Sequence, residues 1–234
     1  MLLSVREAAA LIGATERQIY RWTHDLELPL HRDRGQDRLH RVDLLEWAVS
    51  HRLPVALDDF DLGLDSQGQA LSLAQALARG EVHQNVAGAE RESAVRAAVS
   101  CITLPANLDR GFVQQVLAAR RTTLWPSTPD GVALPHVRQP IVAAGAAPAA
   151  SVIHFQQPID FGSSPLIRTL VILVTPTVQA HLDMLVRVAR LVADPEVYAT
   201  LSRRAPTDEL VAVVARFEAR FRVAPSAPTA VRAA

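Results

Sequence analysis

The sequence predicts an α/β protein in two parts: a small N-terminal unit with a helix-turn-helix pattern, then an α/β sandwich around a central mixed sheet. Three observations carry this. Residues 4–24 hold two short amphipathic helical patterns parted by a glycine. From residue 71 onward, strand-like and helix-like runs follow one another in mixed order, which calls for helices packed on a sheet. Between them lie Asp58, Asp59, Asp61 and Asp65, with Gly63, Ser66 and Gly68 among them, the composition of a solvated linker. The division expected is 1–54, a linker over 55–69, a second domain over 70–222, and a disordered Pro/Ala-rich tail over 223–234.

In the first unit, Ser4 and Glu7 stand at capping-box spacing. Val5, Ala8, Ala9, Leu11 and Ile12 give one helical face, and Gly13 stops it. Thr15 is a good N-cap for a second helix through about His24, with Ile19 and Trp22 inside. Leu28-Pro29-Leu30 leads to a polar hairpin-like segment, His31 to Arg41, with Gly35 at its tip. Asp43 is the expected cap of a final helix with Leu44, Leu45, Trp47 and Ala48 on its apolar face.

In the second part, Leu71 to Arg79 is a short helix ended by Gly80. Val82 to Val86 is a strand, and Glu90 to Ile102 a helix. Asn107 is the expected cap of the next helix. Strand-like runs follow at 132–136, 150–155 and 169–174. Val178 to Val192 is an amphipathic helix, Pro195 opens another, and Thr207 to Phe221 forms the last.

The composition narrows the function. The chain has 234 residues, of which 49% are hydrophobic, enough for a sizeable core, mostly of Ala, Val and Leu. No apolar run reaches the roughly 18 residues of a membrane span, and the N-terminus lacks the pattern of a signal peptide. The single cysteine, Cys101, excludes an intrachain disulfide and fits a reducing cytosol; core packing is its expected role. These features place the protein in the cytoplasm. The formal net charge is +0, so bulk charge announces no nucleic-acid partner.

The most informative stretch is Gly131-Val132-Ala133-Leu134-Pro135-His136-Val137-Arg138. A short buried strand enters from a glycine, and Pro135 ends its ladder or places it on an edge. His136 then sits just past a strand end. Imidazole titrates near neutrality and can attack as a neutral nucleophile; the bland alternative is a partly buried histidine at a strand terminus. Gly-Val-Ala-Leu-Pro-His-Val-Arg resembles the phosphorylation-site signature of the fructose/mannitol-type IIA domains of the sugar phosphotransferase system and of their nitrogen-regulatory relatives. The resemblance covers roughly residues 70–222. It implies that His136 is the phosphoryl acceptor and that His181, early in a helix after a core strand, is the second active-site histidine. Arg121 falls where the family has its Arg-Glu-x-Leu/Met motif. Ser127 and Thr128 match the Ser-Thr of the phosphate loop, and Ile159-Asp160-Phe161-Gly162 matches a marker at the end of the third strand.

These residue types suit one chemistry. Phosphoryl transfer passes through a loose transition state, so positioning and charge neutralisation dominate. An Arg binds two phosphoryl oxygens at once, loop hydroxyls and amides take the third, and a helix start favours the negative charge. No metal or other cofactor is expected. The chain departs from the family at two places. Its loop is Ser127-Thr128-Pro129-Asp130-Gly131, shorter and poorer in glycine, and Thr122 replaces the Glu after the Arg. Read singly, Arg121 is a helix-end charge that Arg120 could replace, and His181, His83 and His154 are satisfied structural histidines.

The first fifty residues resemble the excisionase/MerR-like winged helix-turn-helix. The matching residues are Leu3-Ser4-Val5-Arg6-Glu7-Ala8-Ala9, Leu11-Ile12-Gly13, Arg17-Gln18-Ile19-Tyr20-Arg21-Trp22, Leu28-Pro29 and Val42-Asp43-Leu44-Leu45-Glu46-Trp47. That resemblance implies base-side contacts from Thr15, Arg17, Gln18 and Arg21, and backbone contacts from Arg32, Arg34 and Arg38. Arg balances Asp plus Glu between residues 1 and 54, so electrostatics alone would give weak DNA affinity. Together the two resemblances imply a transcriptional regulator that takes phosphate from an HPr-type phosphocarrier protein and binds DNA, with a homodimer matching symmetric operators. Two alternatives stay open: a IIA component relaying phosphate to a sugar-specific IIB subunit, and an interaction protein that is not phosphorylated.

Overall fold

Local capping sets the first unit. The structure is a computed structural model, and it describes residues 2–33, 35–53, 55, 71–118, 127–134, 140–162 and 165–220. Strand β1 (Leu2–Ser4) runs directly into helix α1 (Val5–Leu11). Ser4 Oγ accepts from the Glu7 amide at 3.2 Å, and Glu7 Oε2 accepts from the Ser4 amide at 2.7 Å. Two donors that a helix start leaves orphaned are thereby satisfied. Gly13 follows at φ +62°, a conformation open to glycine without a Cβ clash. Thr15 and Gln18 repeat the reciprocal box at the start of α2 (Glu16–Asp25).

Strands β2 (His31–Asp33) and β3 (Gln36–His40) form an antiparallel hairpin, and β1 pairs with the far edge of β3. Helix α3 (Arg41–Ser50) starts two residues before Asp43, which lies in its first turn instead of capping it. Trp47 Nε1 donates to Leu26 O at 2.9 Å, tying α3 to the end of α2.

The second unit begins with α4 (Leu73–Gly80), whose N-cap is Ser72. Then come β4 (Val82–Val86), α5 (Arg91–Cys101) and α6 (Arg110–Ala118). Asn107 does not cap α6: its side chain donates to Ala144 O, and Asp109 Oδ1 accepts from the Phe112 amide at 2.6 Å instead. Cys101 is exposed, not packed in the core, because it falls in the last turn of α5. Strand β5 (Val132–Ala133) is short; of the expected run 132–136, residues 135 and 136 lie outside the described residues. β6 (Ala149–Ile159) extends beyond Phe155 through an irregular register between His154 and Ile159. Pro158, without an amide donor, falls in that irregular part, where a missing ladder bond is tolerated. β7 (Ile167–Val174), α7 (Val178–Ala193), α8 (Pro195–Ser202) and α9 (Thr207–Ala219) complete the chain order. The linker from residue 56 and the tail lie outside the described residues, but Val55, where the linker was expected to start, is buried in the core.

The sheet order is β4-β6-β7-β5. β6 and β7 are antiparallel, while β4 and β5 pair in parallel on the two edges. This is the mixed α/β arrangement that the order of elements predicts. Side chains alternate between faces. Ile153, Phe155, Leu170 and Ile172 pack with α5 and α6 on one face. Val152, Val171 and Leu173 pack with α4, α7, α8 and α9 on the other.

That second apolar cluster runs on without a break into Ile19, Leu39, Leu44 and Leu45 of the N-terminal unit. Helix α3 is the shared wall. It is buried over most of its surface, as a helix between two cores must be. It lies along α7 in the same direction. Arg41, at its start, interacts with Asp183 near the start of α7, and Arg52, just beyond its end, donates from Nε to Val192 O near the end of α7.

Candidate active site

The site is built where β7 hands over to α7. Thr177 caps α7 by accepting from the Ala180 amide at 3.0 Å, and its carbonyl accepts from the His181 amide at 3.1 Å. The cap fixes the first turn, so His181 projects from a rigid helix start. The side chain is buried, at 7% exposure. Burial pushes its pKa from 6.5 down to about 4, because a low-dielectric surrounding disfavours the imidazolium. At neutral pH the ring is therefore neutral. Its Nδ1 is buried and has no hydrogen-bond partner among the described residues.

His181 lines a small apolar pocket with Leu117, Leu134, Ile141, Val171 and Leu173. Two of these residues are informative by their place in the chain. Leu134 precedes His136 by two residues, and Leu117, near the end of α6, precedes Arg121 by four. His136 and Arg121 themselves lie outside the described residues.

The loop before β5 is a closed turn. Thr128 O accepts from the Gly131 amide at 2.9 Å, and the Thr128 amide donates to Val132 O at 2.8 Å. Pro at the second position and Gly at the fourth suit such a turn. Gly131 adopts φ +80°, and a Cβ there would lie 2.3 Å from Leu166 O, so no other residue fits without a shift. Thr128 is fully buried. Its hydroxyl accepts from the Val132 amide at 3.2 Å and pairs with Tyr198 Oη at 3.0 Å. Tyr198 Oη donates to Asp130 Oδ2 at 2.7 Å. The tyrosine has one proton and gives it to the carboxylate, so Thr128 must donate to Tyr198. Burial, with help from Asp130, raises the Tyr198 pKa and keeps that proton in place. The Thr128 hydroxyl and the amides of Thr128, Gly131 and Val132 are thus spent inside the turn. A phosphoryl oxygen could bind Thr128 only by displacing one of these partners. Ser127 is half-buried and bridges to Ala133 through its backbone.

The marker after β6 is structural. Phe161 is buried in the core, and Gly162, at φ +79°, donates its amide to Asp160 Oδ1 at 2.7 Å, turning the chain. His83 pairs with Gly80 O at 3.1 Å. His154 is fully buried, with Nδ1 on Thr169 Oγ1 at 2.9 Å. Among the described residues, no group of His, Cys, Asp or Glu could hold a metal ion, and no helix is long and apolar enough to cross a membrane.

In the N-terminal unit, Arg17 and Arg21 are exposed on α2. Thr15 and Gln18 are not free in the same way: their side chains make the cap of α2. Arg32 stands 4.0 Å from Asp37, and Arg38 donates to Gln36 Oε1 at 2.6 Å. Arg34 lies outside the described residues. Sequence reasoning missed Tyr198, Arg52, Arg41 and Asp183. Each matters through a partner far away in the chain, and no local pattern marks it.

Comparison with known proteins places the second unit. The family described as phosphoenolpyruvate-dependent sugar phosphotransferase system, EIIA 2, matches residues 77–216. Among solved structures, a PTS IIA domain from Streptococcus pyogenes M1 GAS is 18% identical, with a TM-score of 0.50; the match covers 64% of this chain and 99% of that one. The nitrogen regulatory protein IIA-Ntr from Neisseria meningitidis is 18% identical, with a TM-score of 0.47, over 61% of this chain and 98% of that one. No curated protein matches. The family match spans more than half of the chain, so this protein belongs to the EIIA 2 family of the phosphoenolpyruvate-dependent sugar phosphotransferase system.

Proposed function

We propose that the protein is a regulator whose IIA unit accepts a phosphoryl group on His136 from an HPr-type phosphocarrier, and whose N-terminal unit is a winged helix-turn-helix that binds DNA. The observation that carries the first half is the pocket shared by His181, Leu134 and Leu117. A two-residue step spans at most about 7 Å, and a four-residue step about 14 Å, so the chain can bring His136 and Arg121 to the rim beside His181. In the transfer, a neutral imidazole nitrogen of His136 attacks phosphorus. One N–P bond forms as the donor's N–P bond breaks, and the donor imidazole leaves with the electron pair. Arg121 would neutralise two phosphoryl oxygens. His181, neutral and held by the α7 start, would donate one hydrogen bond to the phosphoryl group, with the helix dipole behind it.

For the N-terminal unit, the support is the order β1-α1-α2-β2-β3-α3. Gly13 makes the turn, the β2–β3 hairpin takes the place of a wing, and Arg17 and Arg21 lie exposed on α2. One observation favours a second reading. The closed turn at Thr128–Gly131 offers few free donors to an anion, which suits a site that binds partners without phosphate. Incubation with labelled phosphocarrier separates the two. Label on the wild type and none on His136→Ala supports acceptor chemistry; no label on the wild type supports the second reading. Onward transfer of label to a IIB protein would assign a relay role.

A further inference from the structure

Arg52 links the N-terminal unit to the loop before β5 by way of Tyr198. Arg52 lies beyond the end of α3. Its Nε donates to Val192 O at 3.2 Å, and its guanidinium carbon sits 3.8 Å over the centre of the Tyr198 ring. The far end of that ring carries the hydroxyl that donates to Asp130 and accepts from Thr128. From Thr128 the network continues through the Val132 amide into β5, which leads within a few residues to His136. The contacts form an unbroken chain from Arg52 to Val132, the first residue of β5.

We infer that Arg52 is a positioning residue for the phosphoryl-acceptor segment, acting through Tyr198 on the Thr128–Gly131 turn. The inference rests on the reading of His136 as acceptor for its functional consequence, and on contacts alone for its structural part. A guanidinium over an aromatic face is attracted by the ring's negative quadrupole, more so when partly desolvated. Anchored at Val192, Arg52 holds the ring in one place, so the hydroxyl meets both loop partners together. The closed Thr128–Gly131 turn gives that hydroxyl two fixed partners to hold. Because coupling free energies are reciprocal, any change that loosens the turn also weakens the seat of Arg52. Docking of the N-terminal unit and the state of the acceptor segment are thereby linked.

The test is amide hydrogen exchange on the full chain, wild type against Arg52→Ala, Arg52→Lys and Tyr198→Phe. Exchange at the Thr128, Gly131 and Val132 amides should speed up by about three- to thirtyfold in Arg52→Ala, the factor such a cation–ring contact is worth. The amides of β6 and β7 should stay at their wild-type rates, which separates a local effect from general destabilisation. Arg52→Lys should restore part of the protection. Tyr198→Phe keeps the ring under Arg52 but removes the hydroxyl, and should loosen the same three amides. Unchanged turn amides in either Arg52→Ala or Tyr198→Phe overturn the inference, as does a uniform rise across the sheet. Phosphotransfer from labelled phosphocarrier is the second arm. Arg52→Ala should take label more slowly at saturating carrier, with half-saturation unchanged. A wild type that takes no label defeats the acceptor reading, while the exchange arm still decides the role of Arg52.

Discussion

Arg41 and Asp183 bring opposite charges into the buried seam between the two units. Each is 5% exposed. Burial lowers the Arg41 pKa, and the charge of Asp183 acts the other way. Gln179 Nε2 donates to Asp183 Oδ1 at 3.0 Å, so the carboxylate has further support on its own helix. Removing one partner leaves the other charge buried, which typically costs about 3–5 kcal/mol. Arg41→Ala and Asp183→Ala should each lower unfolding free energy by roughly 3 kcal/mol, and the double variant should lose clearly less than the sum. Urea unfolding of the four proteins measures this. Effects that add to within about 0.5 kcal/mol would show that the two charges do not act on each other.

Glu218 closes the second unit by joining its last helix to its first. Its carboxylate accepts from Ser72 Oγ at 2.7 Å, from the Leu73 amide at 2.7 Å and from the Ala74 amide at 3.4 Å, with Arg187 Nη1 at 3.4 Å. It serves as an N-terminal cap of α4 supplied from 145 residues away. Bonds to a charged acceptor contribute about 1.5–3 kcal/mol. Glu218→Ala should therefore cost about 2–3 kcal/mol, and Glu218→Gln less, since the amide oxygen can keep one donor. Denaturant midpoints at unchanged slope would report this. A Glu218→Ala midpoint equal to wild type would mean that water replaces the carboxylate without loss.

Local chemistry was legible in the sequence, and long-range partnership was not. The box at Ser4–Glu7 is a three-residue relationship that sequence spacing alone locates; Thr15 was legible as a cap, but the return bond from Gln18 was not read from the sequence. The strands 150–155 and 169–174 are apolar runs that name themselves, whereas the tail of β6 through Pro158 is polar and irregular in register. Asn107 and Asp109 are both good caps. Which of them is used depends on where Ala144 lies, and no local rule gives that. The apolar residues of α3 were visible, but a period of 3.6 cannot say that two partners cover them. The loop before β5 is the sharpest case. Its shortness was visible, but its closure by Tyr198, 68 residues from Asp130, required the fold.

Acid should destabilise the protein through two histidines. Burial holds the pKa of His181 and of His154 down near 4, and for His154 the positive charge of Arg204 adds to it. In the unfolded chain both return to about 6.5. Between these values the unfolded state binds more protons, so stability is full above about pH 6.5 and falls as pH drops toward 4, below which neither adds further loss. Each contributes on the order of 3 kcal/mol over that window. His154→Leu removes one of the two titrations at the cost of the Thr169 bond. Its stability should change between pH 7 and pH 4.5 by about 2 kcal/mol less than that of the wild type. A wild-type stability flat from pH 7 to 4.5 contradicts the burial argument.

DNA binding by the N-terminal unit would fall to a small set of side chains. Thr15 and Gln18 hold the α2 cap, and Arg38 is tied to Gln36. Arg17 and Arg21 are exposed on α2 and make no hydrogen bond or ion pair among the described residues that would have to break. Each should therefore be separable from folding. Arg17→Ala and Arg21→Ala should leave unfolding free energy within about 0.5 kcal/mol of wild type while weakening binding to a selected operator by roughly fivefold or more, as losing a base or phosphate contact does. A lost phosphate contact would also shallow the slope of log affinity against log salt by about one. Thr15→Ala should do the reverse. It should cost about 1 kcal/mol of stability through the lost cap, and affinity should drop only as far as the helix start frays. Arginine variants that bind as tightly as wild type would move the contact surface off α2 and leave the β2–β3 hairpin as the place to look.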